Sequence, residues 1–315
     1  MPLHGSTQAV INERPFVTGR RFRQMLVVGV VMVWAPVWAQ ERIAADLQAL
    51  VDTERAFAHT ATLKGTRDSF LDFFADDAIA LTPLPNSAKE RLRRRPADPF
   101  SANELKWEPR TGDIAASGEL GWLTGPSTYH ATGETRLQFG NDLSIWRRQA
   151  DGQWRVFIDV GAGTPEAVGF APGFTRFSFD ARYGGTDGRA AAARGLLEAD
   201  RELNARIGTG GPGGTGAVDQ AYGARLADKA RLHRNGIMSI VGRAPISEWL
   251  KRHAASMSAA TGAADASEAG DLGYSYGTYE LKGAAPESGA YLRVWTRNAA
   301  GTWFVVADVA QSAQR

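Results

Sequence analysis

Cysteine is absent from the chain, and histidine occurs only five times in 315 residues. The lack of cysteine excludes a disulfide framework, a thiol nucleophile and a cysteine-ligated metal. No two histidines stand three or four residues apart, the spacing at which two side chains of one helix bind the same metal ion. We therefore expect no metal site, and we predict that the protein needs no cofactor.

The sequence also lacks an apolar run long enough to span a membrane. The uncharged segment Met25–Ala39 has fifteen residues, whereas a spanning helix needs about 20. It follows Arg20, Arg21 and Arg23 and ends in a short apolar stretch, which is the build of a secretory signal peptide. We predict cleavage after Ala39, a periplasmic or secreted protein, and no stable membrane span in the mature chain. An uncleaved anchor is the alternative.

The chain carries almost no net charge. Its 36 basic and 34 acidic residues give +2, and residues 1–39 contain four of the arginines and one glutamate. The remaining chain therefore has 32 basic and 33 acidic residues. One basic cluster, KERLRRR at 89–95, is typical of a solvated helix face. We predict no nucleic-acid partner, because such a partner requires a basic surface.

An internal repeat is the strongest pattern in the sequence. SIWRRQADGQWRVFIDVG (144–161) and RVWTRNAAGTWFVVADVA (293–310) share 8 of 18 positions, among them Asp159 with Asp308. Two further pairs of similar segments lie upstream in the same order: GELGWLTG (118–125) with GDLGYSYG (270–277), and LVDTERAF (50–57) with LLEADREL (196–203). Three blocks in the same order predict a duplicated unit.

We place the domains on this repeat, since a chain of this length suits two domains of ordinary size. The first domain is predicted at 40–161, a linker at 162–189 and the second domain at 190–315. The linker contains four phenylalanines, so we expect part of it to pack on a domain. The glycine-rich segment 207–216 follows a helix and lacks the Gly-Lys-Ser/Thr ending of a phosphate loop, which indicates a slack connection.

Both copies show the same order of predicted elements. In copy one, apolar residues at steps of three and four predict a helix over 43–61, and Thr66 is expected to cap a second helix. Ser87 and Glu90 form a capping box before a third short helix. Strands are predicted at 78–81, 105–116, 120–130, 137–148 and 154–160. Copy two is predicted to have helices near 190–207, 217–227 and 246–257, followed by four strands that end at Val309.

Copy one resembles the SnoaL-like branch of the nuclear transport factor 2-like superfamily. The resemblance rests on TERAFAHTATLKGTRDSFLDFFADDAIAL (53–81), LGWLTGPSTY (120–129) and SIWRRQADGQWRVFIDVG (144–161), and it extends loosely to 192–311. It implies an α+β fold of two tandem cone-shaped domains. In each, three helices pack on a strongly curved, mainly antiparallel sheet around a mostly apolar ligand cavity.

One segment departs from that family pattern. TPLPNSAKERLRRRP (82–96) stands where relatives often have a glycine-containing turn, and we expect it to reshape the cavity rim. The superfamily hosts dehydratases, isomerases, cyclases and many non-catalytic binding proteins on one scaffold. No catalytic residue carries over by position.

The candidate catalytic residues are Glu54, His59 and Asp159. A cavity carboxylate, alone or with a second carboxylate or a histidine, can transfer a proton. Glu54 borders the apolar stripe of the first helix, and a solvated or helix-pairing acid is the alternative. His59 lies about 140° from Glu54 around the helix axis, so the two do not share a face. Asp159 recurs as Asp308, which favours a structural role in both copies as the alternative.

Aromatic side chains are the candidate ligand-binding residues. Large flat side chains line cavities for planar or apolar molecules, and the alternative is that they build the sheet core and the contact between sheets. The candidates are Phe57, Trp107, Trp122, Tyr129, Tyr274 and Tyr276.

We expect an exported, cofactor-free protein that binds a small, largely apolar molecule. The alternatives are a lyase, isomerase or cyclase with a cavity carboxylate or histidine as general base, and a protein-interaction module. An enzyme should show two ionisable groups facing each other in one cavity, one with a strongly shifted pKa. A binding protein should show an apolar cavity with one or two polar groups that anchor the ligand. An interaction module should show filled cavities and a broad exposed apolar face.

Two expectations concern the molecule as a whole. Copy one should hold the better cavity, because copy two contains the alanine- and glycine-rich stretch AASMSAATGAADASEAG (254–270). The protein should be a monomer with an internal pseudo-dimer. Single-copy relatives commonly pair through the outer sheet face, and a duplicated chain can satisfy that contact internally.

Overall fold

The computed structural model describes residues 34–81, 84–96, 104–130, 136–170, 173–179, 182–185, 187–208, 215–253, 257–282 and 286–313. The chain divides into two compact units, Met1–Ala39 and Gln40–Arg315, and the fold below is that of the second unit. Residues 1–33 of the predicted signal peptide, 1–39, lie outside the described residues. No helix in the described part of the chain is long and apolar enough to cross a membrane.

The first half of the chain has three described helices and eight strands. The helices are α1 (Trp34–Lys64), α2 (Thr66–Phe73) and α3 (Ala88–Arg93). The strands are β1 (Phe74–Ala80), β2 (Asn86–Ser87), β3 (Glu104–Trp107), β4 (Thr111–Ile114), β5 (Leu120–His130), β6 (Gln138–Arg148), β7 (Trp154–Thr164) and β8 (Thr175–Arg176).

The second half has the corresponding elements. Its helices are α4 (Gly188–Gly208), α5 (Thr215–Gly223) and α6 (Arg243–His253). Its strands are β9 (Leu226–Arg234), β10 (Ile240–Val241), β11 (Met257–Ala266), β12 (Leu272–Leu281), β13 (Glu287–Arg297) and β14 (Trp303–Ser312). Residues 209–214 of the glycine-rich loop lie outside the described residues.

The two sheets have the same connectivity. The first has the strand order β2-β1-β7-β6-β5-β4-β8, with β3 also paired to β5, and the second has β10-β9-β14-β13-β12-β11. In each, the strand that follows the second helix runs parallel to the last long strand, and the long strands are antiparallel. The predicted α+β fold of two tandem domains, each with three helices on a mainly antiparallel sheet, is confirmed.

Several local predictions differ from the structure in detail. Thr66 is the first residue of α2 and Gly65 is its N-cap, because the backbone there has a φ of 83° that favours glycine. Ser87 does cap α3, and its Oγ accepts a hydrogen bond from the backbone N–H of Glu90 at 3.4 Å. The strand predicted at 105–116 is divided into β3 and β4, and Pro109, which has no N–H to donate, lies between them.

The long strands of the first sheet alternate between two cores. Leu123, Trp146 and Val156 pack with the apolar stripe of α1. Trp122 and Ile145 face the other way and belong to the cluster that contains the core of the second half. The two halves therefore meet through the outer faces of their sheets, and the meeting strands include the equivalent pairs β7 with β14 and β5 with β12.

Candidate functional site

A cavity of about 380 Å³ opens in the first half between α2, α3 and the strands that face them. The apolar part of its wall includes Phe70, Phe74, Leu81, Leu92, Leu105, Trp107 and Val160. Asp142 and Asp159 also line it, and Arg91 and Arg95 lie on the α3 side. Cavities that hold small molecules have this size and composition. Asp142 and Asp159 supply two ionisable carboxyl groups to the cavity.

The register of two neighbouring strands brings the two aspartates together. Asp142, Ser144 and Trp146 alternate along β6 and so point to the same face of the sheet. In the pairing of β6 with β7, Asp159 lies opposite Ser144, and Gly161 lies opposite Asp142. Asp142 and Asp159 are thus diagonal neighbours on one face, and the missing side chain at Gly161 leaves the space beside Asp142 open.

A third carboxyl, that of Glu54, lies behind this wall. Glu54 is 1% exposed and comes from α1. It accepts hydrogen bonds from Trp107 Nε1 at 2.5 Å, Ser144 Oγ at 2.8 Å and Trp146 Nε1 at 2.8 Å. Burial raises the pKa of Glu54, and these three donors oppose the rise. Glu54 therefore holds the cavity residue Trp107 in place from a position that does not itself line the cavity.

The two cavity aspartates have no cationic partner among the described residues. Burial raises the pKa of Asp142 well above its usual range, and the nearby Glu54 and Asp159 add to the rise. Burial together with Glu54 raises the pKa of Asp159 to about 8. Asp142 Oδ1 is buried and has no hydrogen-bond partner in the described part of the chain. The pair can therefore hold protons at neutral pH.

In the second half, an arginine occupies the equivalent space. Arg293 aligns with Ser144 and is 0% exposed. Its Nη1 donates to Asp200 Oδ1 at 2.7 Å, and its Nε donates to Asp308 Oδ2 at 3.0 Å. Burial by itself raises the pKa of Asp308, but Arg234 and Arg293 outweigh it and hold the pKa below the usual value. The cavity with the aspartate pair lies in copy one, whereas the buried Arg293 occupies the equivalent position in copy two.

The predicted catalytic residues have three different placements. Asp159 lines the cavity. Glu54 is buried behind the cavity wall. His59 is exposed on α1, because it lies on the helix face opposite the apolar stripe. Only Asp159 can touch a molecule in the cavity.

The predicted aromatic residues separate in the same way. Trp107 and Tyr129 line the cavity. Phe57 is fully buried in a ring cluster, with its centroid 4.7 Å from that of Trp107. Trp122 points to the outer face of the sheet and packs on Phe177, with ring centroids 5.5 Å apart.

The two tyrosines of the second half lie away from this cavity. Tyr274 is buried where the halves meet, 5.4 Å from the ring of Phe157, and it contacts the guanidinium of Arg147. Tyr276 packs at the edge of the same core cluster. Strand alternation explains both positions, since they occupy the outer face of β12.

Sequence reasoning missed Asp142. The signal was the alternation of Asp142, Ser144 and Trp146 along a predicted strand that is paired with the strand of Asp159. Reading these positions as one face identifies the pair without coordinates. Sequence reasoning also missed the difference between Ser144 and Arg293. The two residues are aligned in the repeated segments 144–161 and 293–310, which were compared for their identical positions.

The segment Gly273–Gly277 matches the pattern Gly-x-Ser-x-Gly. It lies within β12 rather than at a strand-to-helix turn, and Ser275 is buried and accepts a hydrogen bond from Trp295 Nε1 at 2.8 Å. A nucleophile elbow needs an exposed serine on a sharp turn, so this segment is structural. Among the described residues, no group of three histidine, aspartate or glutamate side chains is arranged to hold a metal ion.

Comparison with known proteins finds similarity in fold. No protein-family model matches the chain, and no curated protein matches it. A scytalone dehydratase-like protein from Novosphingobium aromaticivorans is 9% identical, with a TM-score of 0.34 over 44% of this chain and 98% of that one. A ketosteroid isomerase-like protein from Erwinia carotovora is 15% identical, with a TM-score of 0.31 over 36% of this chain and 94% of that one.

A further solved structure covers a similar share of the chain. An epoxide hydrolase-like protein from Mycobacterium tuberculosis is 13% identical, with a TM-score of 0.29 over 38% of this chain and 80% of that one. The strand order and helix placement described above occur once in each half of this chain.

Proposed function

We propose that the first domain is a cofactor-free enzyme of lyase or isomerase type that moves a proton on a small, mostly apolar substrate. The observation that carries this proposal is that Asp142 and Asp159 line one cavity and have no ion-pair partner among the described residues. Our expectation from sequence was a binding protein, with an enzyme as the alternative. Two facing ionisable groups, one with its pKa near 8, favour the enzyme.

The chemistry follows from the protonation of the pair. Two close carboxyls in a low-dielectric site titrate together, and the pair holds one proton over a wide pH range. The ionised member of the pair accepts a proton from a substrate C–H or O–H bond. The protonated member donates its proton to another substrate atom. No atom is lost in an isomerisation, and in a lyase step the donated proton leaves with a hydroxyl group as water.

We expect no proton transfer of this kind in the second domain. Its aligned acids, Asp200 and Asp308, are both paired with Arg293, and Asp308 is also paired with Arg234. A carboxylate paired with an arginine is a poor proton carrier, because its pKa lies far below neutral pH. We infer that the two halves descend from one unit and that only the first kept an open cavity.

Deuterium exchange tests the proposal, because it detects proton transfer on whatever molecule the cavity holds. Native mass spectrometry of protein purified from its own host identifies any retained molecule, which is then incubated with the enzyme in D₂O. We expect deuterium incorporation or conversion by the unaltered protein and a loss of about 100-fold or more in Asp142→Asn and Asp159→Asn. Asp76→Asn is the matched control, since Asp76 is a carboxylate on the neighbouring β1 whose side chain is 95% exposed.

Two results would contradict the proposed enzymatic activity. If the retained molecule is bound by the unaltered protein and by both aspartate variants with the same affinity, and no variant or parent exchanges deuterium, the domain is a binding protein. If no molecule smaller than the cavity binds, the interaction-module alternative replaces both.

We also propose that the protein is exported and that cleavage occurs after Ala39. The support is the sequence of Arg20–Ala39 alone. Helix α1 extends through the cleavage site, and cleavage would leave Gln40–Lys64, which contains the whole buried stripe. Sequencing of the mature N-terminus should begin at Gln40; an intact N-terminus on protein taken from the host would contradict export by this route.

A further inference from the structure

A second cavity, of about 550 Å³, lies where the two domains meet. Residues of β5 and β6 form one side, and residues of β9 form the other. Asn141 lines it, next in sequence to Asp142 of the first cavity. Because neighbouring residues of a strand point to opposite faces, the two cavities lie on opposite sides of the same sheet.

The lining of this interdomain cavity carries positive charge. Arg110, Arg176, Lys229 and Arg231 all line it, and none of the described residues that line it is acidic. Arg176 is paired with Asp113 at 2.9 Å. Lys229 Nζ donates to the hydroxyl of Ser178 at 3.0 Å. The ion pairs between described residues include neither Arg110 nor Arg231.

Three nitrogen donors at the cavity are buried and have no partner in the described part of the chain. They are Arg110 Nη1, Arg231 Nε and Asn141 Nδ2. Asn141 is 7% exposed, so its amide has little access to solvent. Burial alone lowers the pKa of Arg231, and no carboxylate acts to reverse the effect. Both arginines are half-buried, and a buried N–H donor without a partner is unfavourable unless a bound group accepts its hydrogen bond.

His233 adds a neutral polar group to the same wall. Its Nδ1 lies 2.7 Å from Ser239 Oγ and its Nε2 lies 3.3 Å from Thr124 Oγ1. Burial lowers the pKa of His233 to about 3, with Arg231 and Arg234 contributing, so the ring carries no charge at neutral pH. The positive charge of the cavity is therefore that of its arginines and lysine. Phe177, Met238 and Val241 supply apolar wall.

We propose that the interdomain cavity binds a small organic anion whose carboxylate or phosphate group is held by Arg110, Arg231 and Asn141. A guanidinium presents paired N–H donors that match the two oxygens of either group. The apolar wall accommodates the rest of the ligand, since the volume exceeds that of a bare oxyanion and falls in the range of small-molecule sites. This site is separate from the proton-transfer cavity and does not depend on the function proposed for it.

Calorimetric titration of the full chain with inorganic phosphate and, separately, with citrate tests the site. We expect saturable binding of at least one probe, weakened about tenfold or more in Arg110→Gln and Arg231→Gln. Arg252→Gln is the matched control, because Arg252 is an exposed arginine paired only with Glu248 on its own helix. Binding of phosphate alone identifies a phosphate ligand, and binding of citrate alone identifies a carboxylate.

A stability measurement separates a binding role from a structural one. An arginine without a partner costs stability, so Arg231→Gln should raise the melting temperature of the ligand-free protein; a structural arginine would lower it when replaced. Asn141→Asp, which supplies an internal counter-charge, should also raise the melting temperature and abolish binding. Neither probe binding at millimolar concentration, or equal affinity in the parent and both arginine variants, would overturn the proposal.

Discussion

Ser144 and Arg293 occupy the same aligned position in the two halves, and this one difference changes the charge of each interior. Arg293 pairs with Asp200 and Asp308, and all three side chains are buried. Ser144 is too short to reach Asp142 or to fill the cavity, and it donates to Glu54 instead. The same aspartate, at positions 159 and 308, is therefore a protonated cavity acid in one half and half of a buried ion pair in the other.

Removing Arg293 should destabilise the protein much more than removing a surface arginine. Arg293→Met removes the arginine partner of Asp200 and one of the two arginine partners of Asp308, and the expected loss in the free energy of unfolding is about 3–5 kcal/mol. Arg225→Met, which breaks a pair with the half-exposed Glu202, should cost under about 1 kcal/mol. Urea denaturation of both variants measures the difference. Equal losses would show that Arg293 is not the support of the second interior.

The titration of Asp159 should appear in the pH dependence of stability. Its pKa is about 8 in the folded protein and about 4 in an unfolded chain. Between these values the folded protein keeps a proton that the unfolded chain has lost, so the free energy of unfolding falls as pH rises from about 4 to 8.

Asp159→Asn removes this contribution, and its melting temperature should exceed that of the parent at pH 8 and change less between pH 5 and 8. Scanning calorimetry across that range measures the effect. Asp76→Asn is the control, because the pKa of the exposed Asp76 is held low by Lys89 and the residue does not titrate in this window. Parallel curves for the parent and Asp159→Asn would mean that Asp159 is ionised throughout.

The environment and the pKa of individual acidic residues were the properties hardest to predict from the sequence. Asp159 was found because it recurs, but its environment depends on the partner strand, on burial and on what stands at position 144. Asp142 does not recur, since Tyr291 holds the aligned position, and a search for matches passes over it. A pKa shift arises from three-dimensional neighbours, which no local pattern records.

At the scale of elements, periodicity predicted most helices and strands because their buried faces are regular. The stripe of α1 and the long strands β5, β6 and β7 lie close to the predicted positions. The misses have local causes, such as the break at Pro109 and the extension of β1 back to Phe74, where the strand pairs with Val156 of β7. Pairing between distant segments set those boundaries.

The segment predicted as a linker behaves as part of the fold. β7 continues to Thr164, β8 pairs with β4, and Phe177 is buried against Trp122. Phe177→Ala should therefore cost about 3 kcal/mol, the value for removing a buried ring, whereas truncation in a flexible linker costs nothing. Phe170→Ala, in the same segment but 39% exposed, is the control. A loss below about 1 kcal/mol for Phe177→Ala would mean that the segment is dispensable.

At the scale of the molecule, the two halves pack against each other through the outer faces of their sheets. Trp122, Ile145 and Phe157 pack in one cluster with Tyr274 and the core of the second half. A dimer of single domains would need that face, so we predict that the protein is a monomer in solution. Light scattering after size exclusion should return the mass of one chain across a range of concentrations, and a stable mass of two chains would contradict it.

The repeat made the two-domain architecture accessible from sequence, because alignment of the halves requires no structure. The unequal interiors were not accessible in the same way, since a filled and an open cavity share nearly the same apolar pattern. Composition led us to expect a weaker second cavity for the wrong reason, as a run of small residues says less about volume than one buried arginine.

The most direct test of the account is the ionisation of Asp159 itself. Carbon-13 NMR of the labelled protein follows the carboxyl carbon of Asp159 from pH 4 to pH 10, in the parent and in Ser144→Arg. The account predicts a midpoint near 8 in the parent and a much lower one in Ser144→Arg, where the introduced guanidinium copies Arg293. A midpoint near 4 in the parent, the value of an ordinary aspartate, would contradict it.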